Sequence, residues 1–189
     1  MRIIGGVLKR RLLSFPKTKE TRPVTDRSKE TIFNVLGTIC ENASVLDLFS
    51  GSGSLGIEAL SRGANETFFV DSSQTAVNCI KGNLNSLSLE SKGTVLRSQA
   101  LEAVTHLEKR KIRFNLIFLD PPHNKGLIKK VLHHLDHSDI VFPSGIVVVG
   151  HSNKEGLPKD LQRLCHQRSI KIGQAFISFL GLFRTNESK

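Results

Sequence analysis

The sequence predicts an α/β fold, doubly wound, with one mainly parallel seven-stranded sheet and a short amino-terminal β-hairpin. Three observations lead there. Apolar, strand-like runs at 44–49, 67–71, 93–97, 114–119 and 145–150 alternate with helix-compatible segments near 54–62, 73–86, 100–110 and 125–135. Such alternation implies parallel strands joined by crossover helices on both sheet faces. The runs Val45-Leu46-Asp47-Leu48-Phe49 and Leu116-Ile117-Phe118-Leu119 are nearly continuous in apolar side chains, as strands covered on both faces are. Finally, 189 residues with 39% hydrophobic and 23% charged side chains suffice for one domain with a sizeable core.

Residues 1–15 alternate loosely around Gly5-Gly6 and read as two short strands. A polar connection carrying Pro16 and Pro23 follows, so residues 1–24 form a basic hairpin and connection, and 25–189 the main domain. Thr25 or Asp26 can cap the next helix. Its apolar positions Ile32, Phe33, Val35, Leu36 and Ile39 recur at helical spacing, which places one face on the sheet and leaves Arg27 and Lys29 in water. A helix near 157–166 is expected before two closing strands at about 168–172 and 175–183, the last antiparallel.

The net charge of +10 is unevenly spread. Residues 1–30 hold nine Lys and Arg against Glu20, Asp26 and Glu30. A basic arm of this kind reads as a footprint for phosphodiesters, with Arg10, Arg11, Arg22 and Arg27 as candidate RNA-backbone contacts. No apolar run approaches the roughly 20 residues of a membrane span, and the amino terminus lacks the apolar stretch of a secretory signal. Cys40, Cys79 and Cys165 show no paired spacing, which points to a reduced, cytoplasmic setting. His133 and His137 stand at helical i, i+4 spacing beside His134, but no nearby acid or cysteine completes a ligand set, so no metal is expected.

Two motifs carry chemistry. The first strand runs into Ser50-Gly51-Ser52-Gly53-Ser54-Leu55-Gly56, where Gly51, Gly53 and Gly56 satisfy G-x-G-x-x-G; the next strand ends in Asp71, placed to accept from ribose hydroxyls. Taken alone, this could hold a nicotinamide dinucleotide. Asp47 argues otherwise, because a carboxylate just before the glycines repels a pyrophosphate and favours a cation such as the ammonium or sulfonium of S-adenosyl-L-methionine. The second motif, Asp120-Pro121-Pro122-His123, follows a buried strand. A carboxylate there sits where open α/β sheets bind ligands. Two prolines stiffen its exit and remove backbone donors, leaving an acceptor-only clamp suited to the exocyclic amine of a nucleobase.

These residues resemble the RsmD-type methyltransferases, which methylate guanine N2 in small-subunit (16S) ribosomal RNA. The resemblance runs through Arg2-Ile3-Ile4-Gly5-Gly6, Thr21-Arg22-Pro23-Val24-Thr25-Asp26-Arg27, Phe33-Asn34-Val35-Leu36, Leu46 to Gly53 and Leu60-Ser61-Arg62-Gly63-Ala64. It implies a Rossmann-like S-adenosylmethionine-dependent methyltransferase fold and a ribosomal RNA or small-subunit partner. It further implies cofactor contacts at Asp47, Phe49, Gly51, Gly53, Gly56, Asp71, Gln99 and Ala100, and chemistry at Asp120, Pro121, Pro122 and His123. The chain departs from the family pattern at His123 (tyrosine in the family), Gln99 (an acid) and Gly150 (a glutamate). The clamp itself serves adenine N6 in DNA or RNA equally well. A noncatalytic RNA-binding assembly factor and a nicotinamide oxidoreductase also remain open at this level.

Overall fold

A computed structural model describes residues 1–16, 24–122 and 126–183. Arg22 and His123, both expected to take part in function, lie outside the described residues.

Seven strands form one sheet: β1 (Ser44–Leu48), β2 (Glu66–Asp71), β3 (Gly93–Arg97), β4 (Phe114–Leu119), β5 (Val141–Ser152), β6 (Leu164–Ile172) and β7 (Ala175–Leu182). Their spatial order is β3-β2-β1-β4-β5-β7-β6. The pairs from β3 to β5 are parallel, and β7 runs antiparallel to both β5 and β6. The strand order reverses between β1 and β4, so a crevice opens at their carboxyl ends.

Helices α1 (Asp26–Leu36), α2 (Ser54–Ser61) and α3 (Gln74–Ser86) cover one face, burying Phe33, Ile57 and Ile80 with Val45, Phe118 and Val148. Helices α4 (Ala100–Lys109) and α5 (Leu127–Asp136) cover the other, burying Val104 and Leu132 with Leu46, Ile117 and Val149. Alternate residues of each strand therefore serve separate cores.

Of the two possible caps for α1, the structure uses Thr25, whose hydroxyl accepts from the Ser28 N–H at 3.1 Å. The helix stops at Leu36, and Gly37–Cys40 tighten into a 3₁₀ turn. Ile39 therefore leaves the apolar stripe and is 40% exposed, against the expectation that it packs on the sheet.

Lys29 is not in water; it is fully buried. The amino-terminal segment lies across α1 and α2, and the Lys29 ammonium donates to the Arg2 carbonyl and to Glu58 Oε2. Glu58, equally buried, also accepts from the Ile4 N–H (2.9 Å), the Gly5 N–H (2.7 Å) and Arg62 Nε (3.0 Å). Burial pulls the Lys29 pKa below its ordinary value, while the Glu58 charge partly restores it. In place of two amino-terminal strands there is a single antiparallel bridge, Arg2 to Leu12, with Ile3 and Leu13 entering the main core.

The helix expected at 157–166 is absent. Residues 153–163 form an irregular strap of turns and bends, and β6 already begins at Leu164. The cause lies on α5: the buried Asp136 carboxylate accepts from the backbone N–H groups of Gln162 (2.7 Å), Arg163 (2.8 Å) and Leu164 (2.6 Å). Those donors leave no helical pairing for the segment, and Gly156 and Pro158 break it earlier. Burial alone raises the Asp136 pKa, but the three backbone donors outweigh it and hold the group below its usual value.

Candidate functional site

Register brings the two key acids together. Asp47 pairs with Phe118 on β4, so Asp120, two residues further on, projects from the same sheet face at the same end. Asp47 is 2% exposed, with Gly56 N–H donating to its Oδ2 at 3.0 Å. Burial drives its pKa up to about 8, the Gly56 bond opposes this, and the charges of Asp120 and Asp71 push it higher. Asp47 thus anchors the first turn of α2 through one oxygen while remaining a buried acid that gains from any nearby cation.

The turn between β1 and α2 is built from left-handed residues: Phe49 (φ +61°), Gly51 (+56°) and Gly53 (+77°). Gly56 is needed for another reason. A Cβ there would lie 2.7 Å from Thr67 Cγ2, so α2 approaches β2 closely only because the side chain is missing. Asp71, at the end of β2, accepts from Gly51 N–H and Ser73 N–H, each at 2.9 Å, and so ties the turn to the start of α3. Each Asp71 oxygen keeps a further lone pair for a ligand hydroxyl.

Asp120 leaves β4 beside Gly150 of β5. A Cβ at Gly150 would stand 3.0 Å from the Asp120 carboxyl carbon, closer than any ordinary carbon contact. The family's glutamate could not occupy position 150 here unless Asp120 moved. Pro121 is buried and Pro122 exposed, so the exit is rigid at its root and open at its tip. Gln99 caps α4 without a side-chain bond and is exposed, whereas Ala100 is buried.

The basic residues do not converge on one spot. Arg10 lines a groove of about 570 Å³ with Arg2, Lys9 and Arg62, between the amino-terminal segment and α1. Arg11 turns away to donate to the Ser86 carbonyl at 3.2 Å, and Arg27 is exposed on α1. His133 pairs with Asp160, His134 with Thr105, and His137 with the His133 carbonyl. No cluster of metal-binding side chains occurs among the described residues.

Sequence inspection overlooked Asn83, which is 2% exposed. Its amide donates to the carbonyls of Ser52 (2.9 Å) and Ser14 (3.1 Å), and its oxygen accepts from Ser14 N–H (2.8 Å). One side chain thereby locks the amino-terminal segment onto the glycine turn. An asparagine inside an otherwise amphipathic helix gave only a faint signal of this.

A turn of backbone N–H groups between two acids, at the reversal point of this sheet, fits an adenosine carrying a cationic amino acid. Fold and site together define an S-adenosylmethionine-dependent methyltransferase.

Comparison with known proteins narrows the class. A family model described as "Conserved hypothetical protein 95" matches residues 1–181. YlbH of Bacillus subtilis, described as a candidate rRNA methyltransferase, is 39% identical over 173 residues, covering 92% of this chain and 94% of its own. Ribosomal RNA small subunit methyltransferase D of Escherichia coli is 33% identical over 158 residues, covering 84% and 78%. The solved structure of the Escherichia coli yhhF protein, described as a candidate methyltransferase, superposes with a TM-score of 0.83 at 28% identity, over 96% of this chain and 97% of its own. The chain belongs to the RsmD family.

Proposed function

We propose that the protein methylates the exocyclic N2 amine of a guanine in small-subunit ribosomal RNA, in the cytoplasm. The carrying observation is the shared face of Asp47 and Asp120 at the strand-order reversal. S-adenosylmethionine supplies an electrophilic methyl group. Asp47, the turn from Phe49 to Gly56, Asp71 and the start of α4 at Gln99 and Ala100 form its cradle. Arg10, Arg11 and Arg27 offer charge to the RNA backbone, and in this reading Arg22 and His123 join the backbone and base contacts respectively.

Guanine N2 is a poor nucleophile because its lone pair is delocalised into the ring. The Asp120 carboxylate and the Pro121 carbonyl accept from its two N–H groups, which draws the nitrogen toward tetrahedral geometry and holds it in line. After transfer the nitrogen is acidic, and Asp120 can take the proton. A paired guanine must first be extruded to reach this clamp.

The test is incubation with labelled methyl donor and unmodified small ribosomal subunits, followed by digestion and nucleoside identification. N2-methylguanosine is expected; labelled N6-methyladenosine would overturn the base assignment. Asp120→Ala is expected to abolish turnover and keep cofactor binding. A fully active variant removes the clamp from the mechanism.

A further inference from the structure

The strap at 153–163 leaves open space where a crossover helix would have filled it. A cavity of about 650 Å³ lies between the strap and the β5-β7-β6 part of the sheet, within the ~300–1,000 Å³ range of small-ligand sites. Leu157, Leu161, Leu180, Phe176 and Phe183 give it apolar walls.

Through these walls runs one polar line. His151 Nδ1 meets the Ser152 carbonyl (3.1 Å), His151 Nε2 meets Ser178 Oγ (2.7 Å), Ser178 meets Ser169 (2.7 Å), and Ser169 meets His166 Nε2 (2.7 Å). His151 and Ser178 are buried, and the His151 ring stacks on Phe176 at 5.6 Å and 15°. The carbonyl can only accept, so Nδ1 of His151 carries the hydrogen. In the neutral ring, Nε2 then accepts from Ser178, Ser178 accepts from Ser169, and Ser169 accepts from His166 Nε2–H. The chain therefore ends at His166, whose Nδ1 is left as the acceptor, and His166 lines the cavity.

Apolar and aromatic walls with an acceptor at one edge match a nucleobase, since every base presents an amine or a ring N–H. The surroundings match a phosphate: Lys159 lines the cavity, and Lys154 and Lys171 are exposed on the same strap and strand. The nearby carboxylates are engaged, Asp160 with His133 and Asp139 with Arg163. The strap also reaches the methyl-transfer end, since Glu155 accepts from Gly126 N–H at the start of α5.

We infer that this cavity holds a second, unpaired nucleotide of the RNA, distinct from the methyl-accepting guanine. The inference rests on the RNA-methylating function proposed above.

The four nucleoside 5′-monophosphates, titrated separately into the full chain and followed by ligand-observed NMR, test it. Binding of the four nucleotides is expected in the wild type and in Asp120→Ala. Loss of one hydrogen bond in His166→Ala should weaken it about fivefold. Leu161→Trp, checked for folding by circular dichroism, should abolish it by filling the cavity. On ribosomal RNA, His166→Ala should raise KM, leaving kcat and S-adenosylmethionine affinity unchanged. Absence of binding to the wild type, or undiminished binding to Leu161→Trp, overturns the inference. Failure of the wild type to methylate RNA would instead refute the proposed function, with the titrations still judging the cavity.

Discussion

Gly150→Ala offers the sharpest probe of the clamp, because the added methyl group touches nothing catalytic except Asp120. Its carbon would stand 3.0 Å from the Asp120 carboxyl carbon. Carbon pairs rest at about 3.5–4.0 Å, so the carboxyl group must retreat by roughly 0.5–1 Å. The residue lies within β5, paired with Ile177, and its backbone is not left-handed, so alanine fits the strand without strain. A misplacement of about 1 Å in a positioning group costs on the order of 10²-fold in rate. Single-turnover methyl transfer to ribosomal RNA should therefore fall by about two orders of magnitude, while calorimetry finds the S-adenosylmethionine affinity unchanged. A variant with the wild-type rate would refute the idea that a fixed Asp120 carboxylate orients the amine.

Three further outcomes are expected. Asp47, raised to about 8, is mainly protonated at neutral pH; a bound cation favours its ionised form, so cofactor binding should expel a proton and tighten as pH rises through 8. Calorimetry in buffers of different ionisation enthalpy reads this, and a pH-independent affinity would exclude it. Because the folded pKa lies above the ordinary 3.8, the same group's stabilisation of the unliganded fold is present at low pH and lost between 3.8 and about 8. Glu58→Gln leaves Lys29 buried without its counter-charge and should destabilise by about 3–5 kcal/mol in denaturant unfolding; an unchanged midpoint would mean that Lys29 reaches water. Asn83→Ala should weaken cofactor binding about tenfold by freeing the Ser52 carbonyl, with calorimetry as the check and wild-type affinity as the contrary result.

The central strands were legible because burial on both faces demands continuous apolar runs, which few other elements share. Asp47, Asp71 and Asp120 were legible for a related reason: an acid ending such a run has to answer to a ligand or to backbone donors. Long-range contacts left less trace. Lys29 looks like a surface lysine until the amino-terminal segment closes over it. The strap at 153–163 has helix-compatible composition, and only the Asp136 carboxylate, from a different element, withdraws its N–H groups. Gly150 reads as a lapse in a valine strand until Asp120 is seen leaning on it. His166 gave no signal at all, since the polar line it ends continues through Ser178 and His151, which sit on other strands.

The stretch from Met1 to Ser14 is held by groups far along the sequence. Glu58 and Ser61 receive its middle, and Asn83 receives Ser14 across 69 residues. Joining parts so far apart carries a loop-closure cost, and Val7 and Leu12, which stay exposed, return no burial against it. The glycine turn is thus braced by a distant stretch of chain, because the Asn83 amide that holds Ser14 also holds the Ser52 carbonyl.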